Sequence, residues 1–138
     1  MARKIYITEP DKIKLQKLVD DLIKLSSNEK EYVKDLDTEL GRAIIVTSDS
    51  IPYDVITMHS KVSLLIDDFE NEVLTLVYPN ETDIAERKIS VLSPIGTAIL
   101  GYSEGDTIQW EVPSGIVKIL VEKVLYQPEA ALTAIKEV

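Results

Sequence analysis

Ile89-Ser90-Val91-Leu92-Ser93-Pro94-Ile95-Gly96-Thr97-Ala98-Ile99-Leu100-Gly101 is the stretch whose reading decides the fold. It opens as a short apolar strand, Lys88 to Leu92, and runs straight into a helix with both ends written in. Ser93 offers the N-cap oxygen, Pro94 takes the first helical position where no donor is needed, and Gly101 permits the left-handed turn that stops a helix. A strand that passes directly into so short a helix predicts a sheet domain holding that helix against one face.

Downstream, Ile108, Trp110 and Val112 alternate with Thr107, Gln109 and Glu111, before a Pro113-Ser114-Gly115 turn and a last strand from Ile116 to Tyr126. Val117, Ile119 and Val121 fit one face of that strand, whereas Val124 and Tyr126 fit the other, so a bulge is expected near Glu122-Lys123. Trp110 reads as core. Upstream, Met58, Ser60, Val62, Leu64 and Ile66 alternate with His59, Lys61, Ser63 and Leu65. Val73 to Tyr78 is apolar on both parities apart from Thr75 and is closed by Pro79-Asn80, which marks a more deeply buried strand. The acidic segment between these runs, from Asp67-Asp68 to Glu70-Asn71, suits an antiparallel meander. The tail after Pro128 has room for one or two helical turns.

The first third of the chain has a different period. From Thr8 to Leu25, Ile13, Leu15, Leu18, Val19, Leu22, Ile23 and Leu25 keep largely to the i, i+3/i+4 spacing of an amphipathic helix. Thr8 caps it by accepting from the N–H of Asp11, Pro10 lies in the first turn, and Glu9 and Asp11 suit the positive end of the helix dipole. Ser26-Ser27-Asn28 breaks the pattern, and Tyr32, Val33, Leu36, Leu40 and Ala43 mark a second helix, with Asn28 and Glu31 as a reciprocal cap. Two helices of some sixteen residues with a tight turn make an antiparallel hairpin projecting about 24 Å. Ser48-Asp49-Ser50-Ile51-Pro52 reads as a linker. The expected class is α+β: a short helical hairpin, a small coiled coil, over residues 1–47, and a bent antiparallel sheet with one short helix over residues 48–138.

Composition narrows the functional classes. A chain of 138 residues with 45% hydrophobic content suits one compact domain with a small appendage. The net charge of −9 argues against direct gripping of DNA or RNA backbones. Residues 1–50 are nearly neutral, with 9 basic and 10 acidic side chains, and residues 51–138 carry 6 and 14. Without cysteine, disulfides, thiolate metal sites and thiol nucleophiles are absent, and a single histidine, His59, cannot build a multi-histidine site. No leader pattern and no run of eighteen apolar residues is present, so a soluble, cytoplasmic protein without membrane contact is expected.

Three features tempt a chemical reading and resist it. His59 reads as a solvated strand residue. Asp67, Asp68, Glu70 and Glu72 lack the spacing of a calcium loop and read as an acidic hairpin turn. Gly101 to Asp106 is neither a phosphate loop nor a dinucleotide fingerprint. No catalytic residue, metal or cofactor is assigned.

The Ile89–Gly101 stretch, followed by Glu104-Gly105-Asp106 and Trp110-Glu111-Val112-Pro113-Ser114-Gly115, resembles the C-terminal domain of the bacterial transcript-cleavage factors of the GreA/GreB superfamily, which has an FKBP-like fold. Pro52 to Met58, Thr75 to Pro79, Tyr126 to Ala130 and Glu39-Leu40-Gly41-Arg42-Ala43 are similar to its Rnk branch, the regulators of nucleoside diphosphate kinase, so the resemblance spans nearly the whole chain. It implies docking on RNA polymerase through the sheet domain, with the hairpin directed at the secondary channel and in competition with longer factors. The polymerase contact expected from the resemblance is Ser93, Pro94 and Ile95, with Tyr102 and Pro113 nearby. The cleavage factors hold a catalytic magnesium ion with the acidic tip of a much longer coiled coil. Here Glu29 and Glu31 flank Lys30 and stand two apart, so they do not share a helix face. The expected function is therefore a polymerase-binding regulator rather than an enzyme. Two alternatives stand beside it: an FKBP-like peptidyl-prolyl isomerase, and genuine stimulation of transcript cleavage.

Overall fold

The structure, a computed structural model, describes residues 4–25 and 30–136. Its elements in order are β1 (Tyr6–Thr8), α1 (Glu9–Leu25), α2 (Lys30–Arg42), β2 (Ile44–Val46), β3 (Lys61–Ile66), β4 (Glu70–Val77), a 3-10 turn (Pro79–Glu81), β5 (Lys88–Ser90), α3 (Pro94–Ile99), β6 (Thr107–Val112), β7 (Gly115–Tyr126) and α4 (Pro128–Lys136). The α+β class read from the sequence stands. The Asn28–Glu31 cap and the hairpin tip at Ser26 to Glu29 lie outside the described residues, as does the Glu31 side chain.

The hairpin begins where the cap predicts, with the Asp11 N–H donating to Thr8 Oγ1 at 3.3 Å. Leu15 and Val19 of α1 meet Val33, Leu36 and Leu40 of α2, all buried, in the i, i+3/i+4 rows that the sequence sets out. The hairpin is then clasped by two strands too short to show a period: β1 and β2 pair in parallel, with Tyr6 opposite Ile44 and Thr8 opposite Val46.

The main sheet runs β5-β4-β3-β7-β6. Its pairings are antiparallel except at one edge, where β5 lies parallel to β4 with Leu76 opposite Ile89. That edge departs from the meander expected. After β4 the chain turns through Pro79–Glu81 and again at Arg87, whose φ is 56°, and the double turn brings β5 back in the direction of β4. The bulge in β7 is where the parity shift puts it: Ser63 pairs with Lys123 and Leu64 with Val121, so Glu122 is skipped. A second irregularity skips Leu125, and beside it the Val124 N–H donates to Glu104 Oε1 at 2.8 Å.

Two expectations shift. The alternation from Met58 does not become strand until Lys61, because His59 is left-handed (φ 69°) and residues 57 to 60 form a turn, with the Thr57 N–H donating to Ser60 Oγ at 2.9 Å. The tail forms a nine-residue helix, α4, longer than the two turns allowed for. Its approach is fixed by buried Gln127, whose Nε2 donates to the carbonyls of Pro52 and Val55, both at 2.8 Å.

One buried cluster runs through the molecule, from Ile5, Leu15 and Leu36 at the hairpin root to Met58, Leu64, Leu76, Ile99 and Val121 under α3. Trp110 packs half-buried against it. The two ends of this core are pinned at Gly101. Its φ is +85°, its carbonyl accepts from the Tyr6 N–H at 3.1 Å, and its own N–H donates to the Ile56 carbonyl at 2.9 Å. A Cβ there would sit 2.8 Å from Ile5 Cβ.

Gly101→Ala should therefore lower unfolding free energy by roughly 3 kcal/mol, combining left-handed strain with a clash against the core. Gly105→Ala, at φ +87° but with open space around it, should lose only about 1 kcal/mol. Denaturant titration of the two variants measures the difference. Ser93→Ala, which strips the α3 cap, should lose about 1 kcal/mol in the same assay.

Candidate functional site: a groove beside the capped helix

Ser93 Oγ accepts from the Gly96 N–H at 3.0 Å and donates to the Ser90 carbonyl at 2.7 Å, so one hydroxyl both starts α3 and ties it to the end of β5. Gly96 is required at the next contact, because a Cβ there would lie 2.1 Å from the Ser90 carbonyl oxygen. Thr97, buried, donates its hydroxyl to the Val91 carbonyl at 2.6 Å. These bonds press the helix against the curled sheet. Its buried residues, Gly96 to Ile99, fill the concavity.

The helix does not cover the whole concave face. Residues 70, 72, 74 and 76 of β4 point to the same face as Val62, Leu64 and Ile66 of β3, by the two-residue period of a strand. Leu74 and Leu76 are buried there, whereas Glu70 and Glu72 continue the same face beyond the cover. The result is a groove of about 240 Å3, floored by Ile66, Leu74, Ile89 and Ile95 and edged by Glu70, Glu72 and Arg87. Arg87 forms an ion pair with Glu72, and Glu70 makes no ion pair among the described residues. An apolar floor with an acidic edge can take an apolar side chain from a partner whose flanks are basic.

The residues expected at the contact fall in three places. Ser93 and Pro94 begin α3, with Pro94 exposed, and Ile95 forms one wall of the groove. Pro113 is exposed in the turn after β6, the strand against which α3 packs. Tyr102 is turned inward and only 6% exposed. Its hydroxyl accepts from Arg42 Nη2 at 2.9 Å, the guanidinium carbon lies 5.8 Å from its ring centre, and Arg42 Nε donates to Glu39 at 2.6 Å. Tyr102 thus meets the end of α2, not solvent. Ile66, Leu74 and Ile89 do not stand out as site residues in the sequence, and Glu70 and Glu72 read there only as part of an acidic turn. The alternation of β3 and β4 carries the signal for Glu70 and Glu72, but Ile89 enters the groove only through the parallel pairing of β5.

Elsewhere the tempting residues have structural partners. The Asp67 N–H donates to the Lys118 carbonyl and the Lys118 N–H donates to Asp67 Oδ1, both at 2.8 Å, while Lys118 Nζ reaches Asp68 at 3.2 Å. The acidic turn is therefore a lock between β3 and β7. Among the described residues no group of three His, Cys, Asp or Glu is arranged to hold a metal ion, and no helix is long and apolar enough to cross a membrane.

Comparison with known proteins agrees with the fold. Residues 51–126 match the family described as transcription elongation factor, GreA/GreB, C-term, and residues 3–46 match the Rnk N-terminus. The regulator of nucleoside diphosphate kinase of Escherichia coli (strain K12) is 43% identical over 98 residues, covering 70% of this chain and 72% of that protein. The transcription elongation factor GreA of Acetivibrio thermocellus is 33% identical over 101 residues, which span 70% of this chain and 64% of the longer factor. A solved GreA/GreB elongation factor from Nitrosomonas europaea is 37% identical and superposes with a TM-score of 0.71, covering 89% of this chain and all of that one. The chain belongs to the GreA/GreB family of transcription elongation factors, in its Rnk branch.

Proposed function

We propose that this protein is a cytoplasmic regulator that binds RNA polymerase through the α3 face, presents its hairpin towards the secondary channel, and does not stimulate transcript cleavage. Residues 48–138 form the docking part and residues 1–47 the presented part. The observation that carries this reading is the strip of the concave face that α3 leaves uncovered, where half-buried Ile66, Ile89 and Ile95 line a groove over buried Leu74. Such a strip suits an apolar side chain on a helix of the polymerase, and its acidic edge suits a basic flank. Ser93, Pro94 and Ile95 make the contact and Pro113 extends it. Tyr102 acts from beneath, by holding Arg42 at the foot of α2.

The hairpin supports the second half of the proposal. At 17 residues, α1 is about 25 Å long, and Leu15 and Val19 along it are packed into the core. Helices of this length are too short to carry an acidic tip, Glu29 and Glu31 in the sequence, to a distant catalytic magnesium ion. A protein of this kind occupies the site of longer factors and competes with them. It needs no cofactor, and its acidity disfavours direct contact with DNA. Any effect on nucleoside diphosphate kinase follows indirectly, from transcription.

Titration with core RNA polymerase should show saturable binding that a full-length cleavage factor displaces. Ile95→Asp should weaken it by roughly tenfold or more, about 1.4 kcal/mol, while the circular dichroism spectrum stays native. Backtracked complexes given the intact protein should release no cleaved transcript. No binding at micromolar concentration contradicts docking, and accelerated cleavage favours the alternative of a cleavage stimulator acting through Glu29 and Glu31.

A further inference from the structure

β5 pairs with β4 only at Thr75, Leu76 and Val77, so from Glu70 to Leu74 no strand lies beside β4 on that edge. A side chain stands there instead. Arg87 precedes β5, and its backbone is held twice: the N–H donates to the Ile84 carbonyl at 3.1 Å, and the carbonyl accepts from the Thr75 N–H at 2.9 Å. From that left-handed position its guanidinium meets Glu72 at the edge of the groove. Glu72 is thereby neutralised. Glu70 lies two residues along the same face, about 7 Å away, and makes no ion pair among the described residues. The edge thus holds one masked carboxylate and one free carboxylate beside an apolar floor.

We propose that Glu70 selects the basic flank of the polymerase segment seated in this groove, and that Arg87 is a built-in competitor that withholds Glu72 from the same flank. This rests on the docking of the α3 face proposed above. Folding stability gives little reason for the Arg87–Glu72 pair: Arg87 is half exposed, and ion pairs in contact with water contribute little. Charge at the rim of a binding surface acts differently. It sets the rate of encounter and the choice of partner, over a range of about 10 Å at 0.1 M salt. Glu70, Glu72 and Arg87 together leave a single negative charge, which favours one lysine or arginine beside the apolar anchor. Without Arg87 the edge carries two, and it attracts segments with paired cations as well. A partner cation that approaches Glu72 must displace a guanidinium already tethered to the same chain.

A competitor and a merely structural ion pair differ in sign. Removing the Arg87 guanidinium makes the edge more negative and frees Glu72 for the partner. Neutralising Glu72 does the opposite, because it leaves the Arg87 charge facing the incoming cation. Loss of a structural pair acts in one direction, whichever member is removed. Asn is the replacement suited to position 87, where φ is 56°, since it tolerates a left-handed backbone.

The test is a titration of core RNA polymerase with the full chain at several salt concentrations. At about 0.1 M salt, Arg87→Asn should bind roughly threefold more tightly, Glu72→Gln roughly threefold more weakly, and Glu70→Gln roughly fivefold more weakly. Each ratio should approach one as the Debye length falls to about 3 Å at 1 M. Arg87→Asn and Glu72→Gln shifting in the same direction, or neither shifting, overturns the competitor. Unchanged binding by Glu70→Gln overturns the selection, and docking itself still stands if Ile95→Asp weakens binding. A wild-type protein that does not bind contradicts the docking reading, and Glu70 and Arg87 lose their assigned roles with it. Thermal unfolding checks that each variant is native; should Arg87→Asn not fold, Arg87→Gly, which accepts the same φ without strain, takes its place.

Discussion

The contact of Gly101 with Ile5 and Tyr6 is the constraint on which the rest of the molecule depends. At that point three segments must pass within hydrogen-bonding distance: the end of α3, the strand that enters the hairpin, and the Ile56 backbone. Only a residue without a side chain and tolerant of φ +85° fits. Because Gly101 also ends α3, the position of that helix on the sheet and the position of the hairpin root are set by the same residue. The Arg42–Tyr102 contact adds a second tie one residue later, this time to the end of α2. The hairpin is thus not a loose appendage. It shares a core with the sheet, and whatever binds the α3 face meets a body to which the hairpin is already oriented.

The groove follows from a mismatch between a short helix and a longer sheet. Six helical residues, capped by Ser93 and held by Gly96 and Thr97, cannot cover a concave face that extends along β3, β4 and β5. A stable domain ordinarily closes such a strip or makes it polar. Here the strip remains apolar at Ile66, Leu74, Ile89 and Ile95, while the strand period brings Glu70 and Glu72 to its border. An open apolar floor beside carboxylates on the inward parity of a strand is poor economy for stability alone, and it is intelligible as a place for a partner.

Much of this was legible in the chain. The α3 helix was readable from Ser93, Pro94 and Gly101, because each of those residues answers a specific backbone requirement at a helix end. The bulge was readable because a one-residue slip exchanges faces, and Val124 declares the exchange. Elements whose form depends on pairing were not readable. β1 and β2 are three residues each and exist through each other, and the parallel course of β5 is set by the double turn after Val77. The candidate site divides in the same way. Ser93, Pro94 and Ile95 came from the family resemblance and fall together, whereas Ile89 and Leu74 become neighbours of Ile95 only once the sheet is assembled. Tyr102 was expected near them from the same resemblance and is instead turned inward to meet Arg42.

The most direct test of the account is photo-crosslinking from Pro94, which is exposed at the start of α3. A photoreactive amino acid at that position, in the full chain mixed with core RNA polymerase, should crosslink to one polymerase subunit and lose the crosslink when a full-length cleavage factor is added. The same group at exposed Ile84, outside the groove, should give little or none. Equal crosslinking from both positions, or crosslinking at Pro94 that the competitor leaves unchanged, would contradict the assignment of the α3 face as the docking surface.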